Sequence, residues 1–581
     1  MEATRYDRRE FMGYFTSVGL GSTLLPGVLW AKVAADEALE ITASTIADAE
    51  EVAGLKFEPE EREMMVDGLK LQTRRIAALH KIPLDNSVSP SIVFNPLPPG
   101  KTVAPDRRRA PVRSRTARRT LTSNLEDLAF LPVTDLSELV RSRRVSSLQL
   151  TEMYLARLRK YDPVLKCVIS LTEERALRQA RAADTEIARG RYRGPLHGIP
   201  WGAKDLLAVR GYKTTWGAGP FREQIIDTDA TVVERLDAAG AILVAKLTLG
   251  ELAQGDIWFG GTTKNPWKID QGSSGSSAGP ASATAAGLVG FSIGSETLGS
   301  ISSPSTRCGT TGLRPTFGRV PRTGAMALSW TMDKLGPICR SVEDCALVFG
   351  AIYGPDDRDN SVISADFQWD ATLSPRSLRV GYFRSAFDIP LTDPKDEKRT
   401  LHGSKKFDDA ALAVLRGLGI NLIPVEVPEL NYDAMRLVLT AEAAAAFDEL
   451  TRSDRDKELV QQDKGAWANT FRTARFIPAV DYVNANRVRT LAIQRWDDLM
   501  KTVDVIVTPT SASGLAQLVA TNLTGHPAVI LPNGFREDGT PVSLTFIGGL
   551  FEEAKLLAVA HAYQQATAFH LRHPVVPIPA A

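Results

Sequence analysis

An α/β architecture, a sheet with helices on both faces, follows from three features of the sequence. Apolar residues recur at helical spacing over 135–161 and 172–189. Short apolar runs rich in β-branched residues, such as 241–245 and 503–507, alternate with those helical patterns from residue 125 onward. The chain has 581 residues, 44% hydrophobic and 24% charged, enough to bury a large core.

In chain order, residues 1–35 come first. Arg8, Arg9, Phe11 and Met12 precede a weakly apolar stretch at 13–31, which resembles a twin-arginine export signal, with Asp7 in place of the usual Ser or Thr. A packed amphipathic helix is the competing reading, and Gly19, Gly21, Pro26 and Gly27 make a poor helix interior. The expected location is periplasmic or secreted, and cytoplasmic if the signal is not used. Residues 36–94 read as a small helical appendage, with Met64, Met65, Leu69 and Leu71 at helical spacing. Residues 95–122 carry Pro96, Pro98, Pro99, Pro105 and Pro111 among seven arginines, the composition of an extended arm lying on the body. Residues 123–575 form the expected catalytic domain.

The formal net charge of +1 leaves little field to gather polyanions, so nucleic acid is not an expected partner. The four cysteines, Cys167, Cys308, Cys339 and Cys345, form no C-x-x-C pair and read as core thiols. The apolar run 278–294 is interrupted by Ser, Thr, Pro and Gly, so stable membrane insertion is not expected. No H-E-x-x-H or clustered His/Cys/Asp set implies a metal, and no cofactor is expected. The expected partner is a small amide substrate, and a homodimer is compatible with the sequence.

Three segments are rich in residues small enough for backbone to approach a substrate. In 194–205, Lys204 stands in an apolar run bent by glycines and prolines. In 272–279, Ser273, Ser274, Ser276 and Ser277 alternate with glycines. In 294–304, Thr297, Leu298, Gly299, Ser300 and Ile301 are followed by Ser302, Ser303 and Pro304. Alone, each reads as a turn or linker. Their order and spacing resemble the amidase signature family, which includes fatty acid amide hydrolase and the A-type amidotransferase chain. The resemblance extends to Gly318-Arg319-Val320, Asp333-Lys334-Leu335-Gly336-Pro337, Thr508-Pro509-Thr510 and Asn522-Leu523-Thr524-Gly525-His526-Pro527.

That resemblance implies a large mixed sheet and hydrolysis of a carboxamide C–N bond through an acyl-enzyme on Ser300. Lys204 would be the base and Ser276 the serine on a cis peptide that relays the proton. Ser276 lies 24 residues before Ser300, the family's separation, whereas Ser273 would need an insertion. Backbone N–H groups of Thr297, Leu298, Gly299 and Ser300 would receive the oxyanion. Leu298 stands where the family commonly has Gly, and Ser302 where it often has Arg, so no carboxylate clamp is assigned.

The chemistry is coherent on its own terms. A serine hydroxyl needs a base, and none of the core histidines, His197, His402 and His526, sits in a matched catalytic element. A lysine serves if burial lowers its pKa from about 10.4 toward ~7–8. The rival nucleophile is Ser277, because Gly275-Ser276-Ser277-Ala278-Gly279 matches the G-x-S-x-G elbow. That elbow needs a core strand before it, and 264–271 is not one. An amidotransferase A-type chain, a urethane or ester hydrolase with the same triad, and a non-catalytic binding protein are the remaining readings.

Overall fold

The computed structural model describes residues 41–115, 124–510 and 516–578. The expected export signal and part of the Pro/Arg-rich arm lie outside them. The described residues fall into two compact units, one of residues up to Val88 with Thr473–Asp481, the other of Ser89–Arg472 and Tyr482 onward.

The smaller unit contains two helices, Ala43–Ala53 and Pro59–Leu79. Thr42 caps the first, which ends on Gly54 at φ +65°. Pro59 opens the second, and Glu61 accepts a hydrogen bond from the Glu58 N–H at 2.8 Å. Glu50 and Arg62 join the two helices at 2.7 Å. The apolar spacing at Met64, Met65, Leu69 and Leu71 does form a helix, but none of its residues is buried and Met64 is 77% exposed. Capping and ion pairs therefore carry more of this helix than core packing does.

The larger unit is built on one eleven-stranded mixed sheet. Its strands are β1 Val168–Leu171, β2 Pro200–Lys204, β3 Ile242–Leu247, β4 Phe291–Glu296, β5 Thr311–Arg314, β6 Lys334–Cys339, β7 Val380–Phe383, β8 Leu422–Val425, β9 Val505–Pro509, β10 Ala528–Phe535 and β11 Pro541–Gly548. The spatial order is β1-β3-β2-β4-β6-β5-β10-β11-β9-β7-β8. β2 runs parallel to both β3 and β4, and β7 parallel to β8 and β9. The strands between β4 and β9 pair antiparallel. Every residue of β2, β3 and β4 is buried, as expected of parallel strands covered on both faces.

The helical pattern at 135–161 is two helices, Val133–Arg141 and Ser147–Leu165. Arg143 breaks the run at φ +56°, and Ser146 and Gln149 form a reciprocal cap that restarts it. The pattern at 172–189 is the helix Glu173–Ala188. The described part of the arm is tied to the body by Val112, whose N–H donates to the Trp369 carbonyl at 2.9 Å, and by the Arg107 N–H on Asp366 at 3.0 Å. All four cysteines are buried and free. Among the described residues no helix is long and apolar enough to cross a membrane.

Candidate active site

Lys204 ends β2, whose register sets Ala203 opposite Ile293 of β4, so Lys204 comes beside Ser295 at the carboxyl ends of two parallel strands. That is the edge where α/β sheets bind ligands. Lys204 Nζ lies 2.8 Å from Ser276 Oγ, 3.0 Å from Ser277 Oγ and 2.9 Å from Ser295 Oγ. Among the described residues no carboxylate approaches it within ion-pair distance. Burial pushes its pKa well below the usual lysine value, against the weaker opposing pull of Asp333 and Glu296. Asp205, its neighbour in sequence, pairs instead with Lys246 at 2.8 Å.

Ser276 follows a cis peptide from Gly275. Ser277 opens the helix Ala278–Ala285, all of it buried, and its N–H donates to the Ser300 carbonyl at 3.0 Å. The serine-rich segment and the nucleophile turn are therefore joined backbone to backbone. Exposure rises along the set, from 0% at Lys204 and 1% at Ser276 to 9% at Ser300. The structure brings Lys204 and Ser276 into hydrogen-bond contact. Ser300 is held beside them through its backbone, and its Oγ has no hydrogen-bond partner among the described residues.

Ser277 is fully engaged. Its hydroxyl meets Lys204, donates to the Ser295 carbonyl and accepts from the Ser295 N–H, each bond 3.0–3.1 Å. A side chain at Gly294 would collide with it, since a Cβ there would lie 2.7 Å from Ser277 Oγ. The segment before it, Lys268–Gly272, belongs to a two-stranded ribbon outside the main sheet. The nucleophile elbow fails on both counts.

Thr297, Leu298 and Gly299 form the turn between β4 and Ser300. None of the backbone N–H groups of residues 297–300 donates to a described residue. Gly299 sits at φ +96°, where L side chains are disfavoured. Two carboxylates hold the turn from below. Glu296 Oε2 accepts from the Ile301 N–H at 2.9 Å, the Ser302 N–H at 2.8 Å and the Ser302 hydroxyl at 2.8 Å, while Oε1 accepts from Arg314 and Asn522, both at 2.8 Å. The Arg314 guanidinium and these donors outweigh burial and hold its pKa at about 2. Asp333 Oδ1 accepts from the Thr297 hydroxyl at 2.6 Å, and burial pushes its pKa up. Leu298 packs against an apolar cluster that includes Val519 and Met332, and a Cβ at Gly299 would lie 3.3 Å from Leu518 Cδ2.

Ser295 and Glu296 were not assigned to the site, and Ser277 only as a rival nucleophile, although all three stand in the quoted segments. A lone Glu in a Gly- and Ser-rich run was the available signal, because a buried acid needs partners. His526 is not a base. Burial pushes its pKa to about 3, and its Nδ1 pairs with Thr524 Oγ1 at 2.8 Å. Trp467 and Phe471 stack at 5.1 Å, Phe471 fully buried and Trp467 half-buried with its Nε1 donating to the Leu252 carbonyl at 3.0 Å. Among the described residues no three His, Cys, Asp or Glu side chains are grouped to hold a metal ion.

The Amidase family profile matches residues 149–557. The A chain of the glutamyl-tRNA(Gln) amidotransferase of Acinetobacter baumannii is 33% identical over 489 residues, spanning 78% of this chain and 99% of that protein. Its counterpart from Coxiella burnetii is 34% identical, over 76% of this chain and 98% of that protein. Among solved structures, the native peptide amidase from Stenotrophomonas maltophilia superposes with a TM-score of 0.66 at 30% identity, covering 78% of this chain and 99% of that one. The chain belongs to the Amidase family, and its activity is that of a hydrolase acting on C–N bonds.

Proposed function

We propose that the protein hydrolyses a carboxamide through an acyl-enzyme on Ser300, with Ser276 and Lys204 as the proton relay. The observation that carries this reading is the contact of a buried, carboxylate-free Lys204 with Ser276, beside a turn that offers four backbone N–H groups. Ser300 Oγ attacks the carbonyl carbon, its proton passes to Ser276 Oγ, and the Ser276 proton passes to neutral Lys204 Nζ. The negative charge formed on the carbonyl oxygen is received by the N–H groups of residues 297–300, where losing one such donor typically costs about 3 kcal/mol in activation free energy. Collapse breaks the C–N bond as the relay runs backward and protonates the leaving amine. Water then cleaves the acyl ester by the same route. Leu298 and Leu518 beside the turn favour a substrate with an apolar acyl group.

The similarity to A-type amidotransferase chains, at nearly the full length of those proteins, favours a second reading in which ammonia released here is passed to another chain. A urethane or an ester would acylate the same serine. Assay of the isolated chain separates these. On the proposed reading it hydrolyses simple apolar carboxamides without partner chains, and Ser300→Ala lowers kcat by about three orders of magnitude or more with an unchanged thermal transition. Activity seen only with added partner chains and glutamine would sink the stand-alone amidase reading in favour of the second.

A further inference from the structure

Just after the helix Ser302–Cys308, which follows Ser300, one small cavity is lined by three residues that each carry a buried polar atom without a partner. It measures about 20 Å³ and is bounded by Phe130, Trp267, Thr310, Arg340, His570 and Arg572, among others. This is room for one species of about the size of a water molecule or slightly larger. Thr310 Oγ1, Arg340 Nε and His570 Nδ1 are all buried with no hydrogen-bond partner among the described residues. Thr310 is 1% exposed and Arg340 7%.

Arg340 determines the sign of what fits. Its Nη1 and Nη2 donate to the carbonyls of Gly290 and Val289 at 2.9 and 2.7 Å, and among the described residues no carboxylate lies within ion-pair distance. Asp344, an acid close enough to feel its field, has its carboxyl pushed up by burial and drawn back down by Arg340, without forming an ion pair with it. A buried guanidinium left without a counter-charge is costly. No acid lines the cavity, whereas two arginines and two histidines do. Arg340 Nε is a donor only, the Thr310 hydroxyl can donate, and a neutral imidazole can donate through Nδ1.

We propose that this cavity binds a single small inorganic anion of halide size, held by Arg340 Nε, the Thr310 hydroxyl and His570. The anion is the counterion of Arg340 and pins the C-terminal segment, residues 570–573, that lines the cavity. That segment is already clamped at its surface, where the His573 ring stacks on Phe130 at 4.0 Å and Arg572 lies 4.1 Å from the Phe535 ring centroid. The inference does not depend on the proposed reaction, since none of these residues belongs to the relay or the turn.

The test uses the full chain at constant ionic strength, with chloride exchanged for gluconate, which is too large for the cavity. Thermal stability should rise saturably by a few degrees as chloride increases, by mass action on the folded state, and bromide should replace chloride. A bromide-soaked crystal should show an anomalous peak within about 3.5 Å of Arg340 Nε and Thr310 Oγ1. Thr310→Val should abolish the halide response without changing amide turnover, and His570→Phe provides the same readout should Thr310→Val not fold. Halide-independent stability with no anomalous peak would mean that the cavity holds only water and would overturn the proposal. A response to phosphate with none to halide would overturn it too.

Discussion

Three hydroxyls within 3.0 Å and no ion-paired carboxylate make Lys204 a lysine whose neutral form is favoured. The neutral amine is the base, so activity should rise with pH through a pKa below the usual lysine value, and Lys204→Ala should remove that limb. Stability has the same sign. Between the folded value and about 10.4 the unfolded chain holds the extra proton, so this group's contribution to stability rises with pH across that window. Because the relay also protonates the leaving amine, Lys204→Ala should slow an anilide more than a matched p-nitrophenyl ester, whose leaving group departs unassisted. Equal losses on both, together with a lost cooperative melt, would make Lys204 a structural residue. The sequence offered Lys204, Ser276 and Ser300 through the family resemblance that their order and spacing carry, and the structure places the first two 2.8 Å apart, while their roles are the proposal. Their partners were not legible in the sequence. Asp205 follows Lys204 directly, yet it lies in the turn beyond β2 and pairs with Lys246 of β3.

The turn after β4 is held by one side chain more than by any other. Glu296 accepts five hydrogen bonds that join Ile301 and Ser302 to Arg314 and Asn522. Its pKa near 2 lies below the unfolded value of about 4.3, so the stability it contributes is present above pH ~4.3 and is lost as pH falls toward 2. The shift corresponds to about 3 kcal/mol. Glu296→Gln should therefore lower the melting temperature at pH 7, with the difference from wild type shrinking near pH 3. Turnover should fall roughly tenfold or more as the turn loosens, because a small misplacement of reacting groups is expensive. A variant with unchanged turnover would show that the turn holds itself. At this scale the sequence could not reveal that Ser302 serves Glu296, because a tertiary hydrogen bond leaves no periodicity. The reciprocal Ser146–Gln149 cap, by contrast, was readable and would have divided the 135–161 helix in two.

Across the whole molecule, the alternating pattern was enough for an α/β sheet but not for its strand order. The central strands β5, β6 and β10 carry Gly312, Gly336, Pro337, Pro532 and Gly534, residues that read as turns locally. Their pairing is decided by contacts distant in sequence, such as Ala528 opposite Arg314. We also propose, on the pattern of Arg8, Arg9 and Phe11, that the chain is exported in the folded state. Replacing both arginines with lysine should retain the precursor inside the cell, with the mature N-terminus of the wild type near residues 31–35. Unchanged delivery of the double variant would refute export by this route.

The most direct measurement is the mapping of covalent modification by a serine-directed fluorophosphonate. The proposed relay predicts a single adduct on the peptide that contains Ser300, lost in Ser300→Ala and slowed in Lys204→Ala. A stable adduct on Ser277 or Ser276, with Ser300 unmodified, would contradict the assignment of the nucleophile.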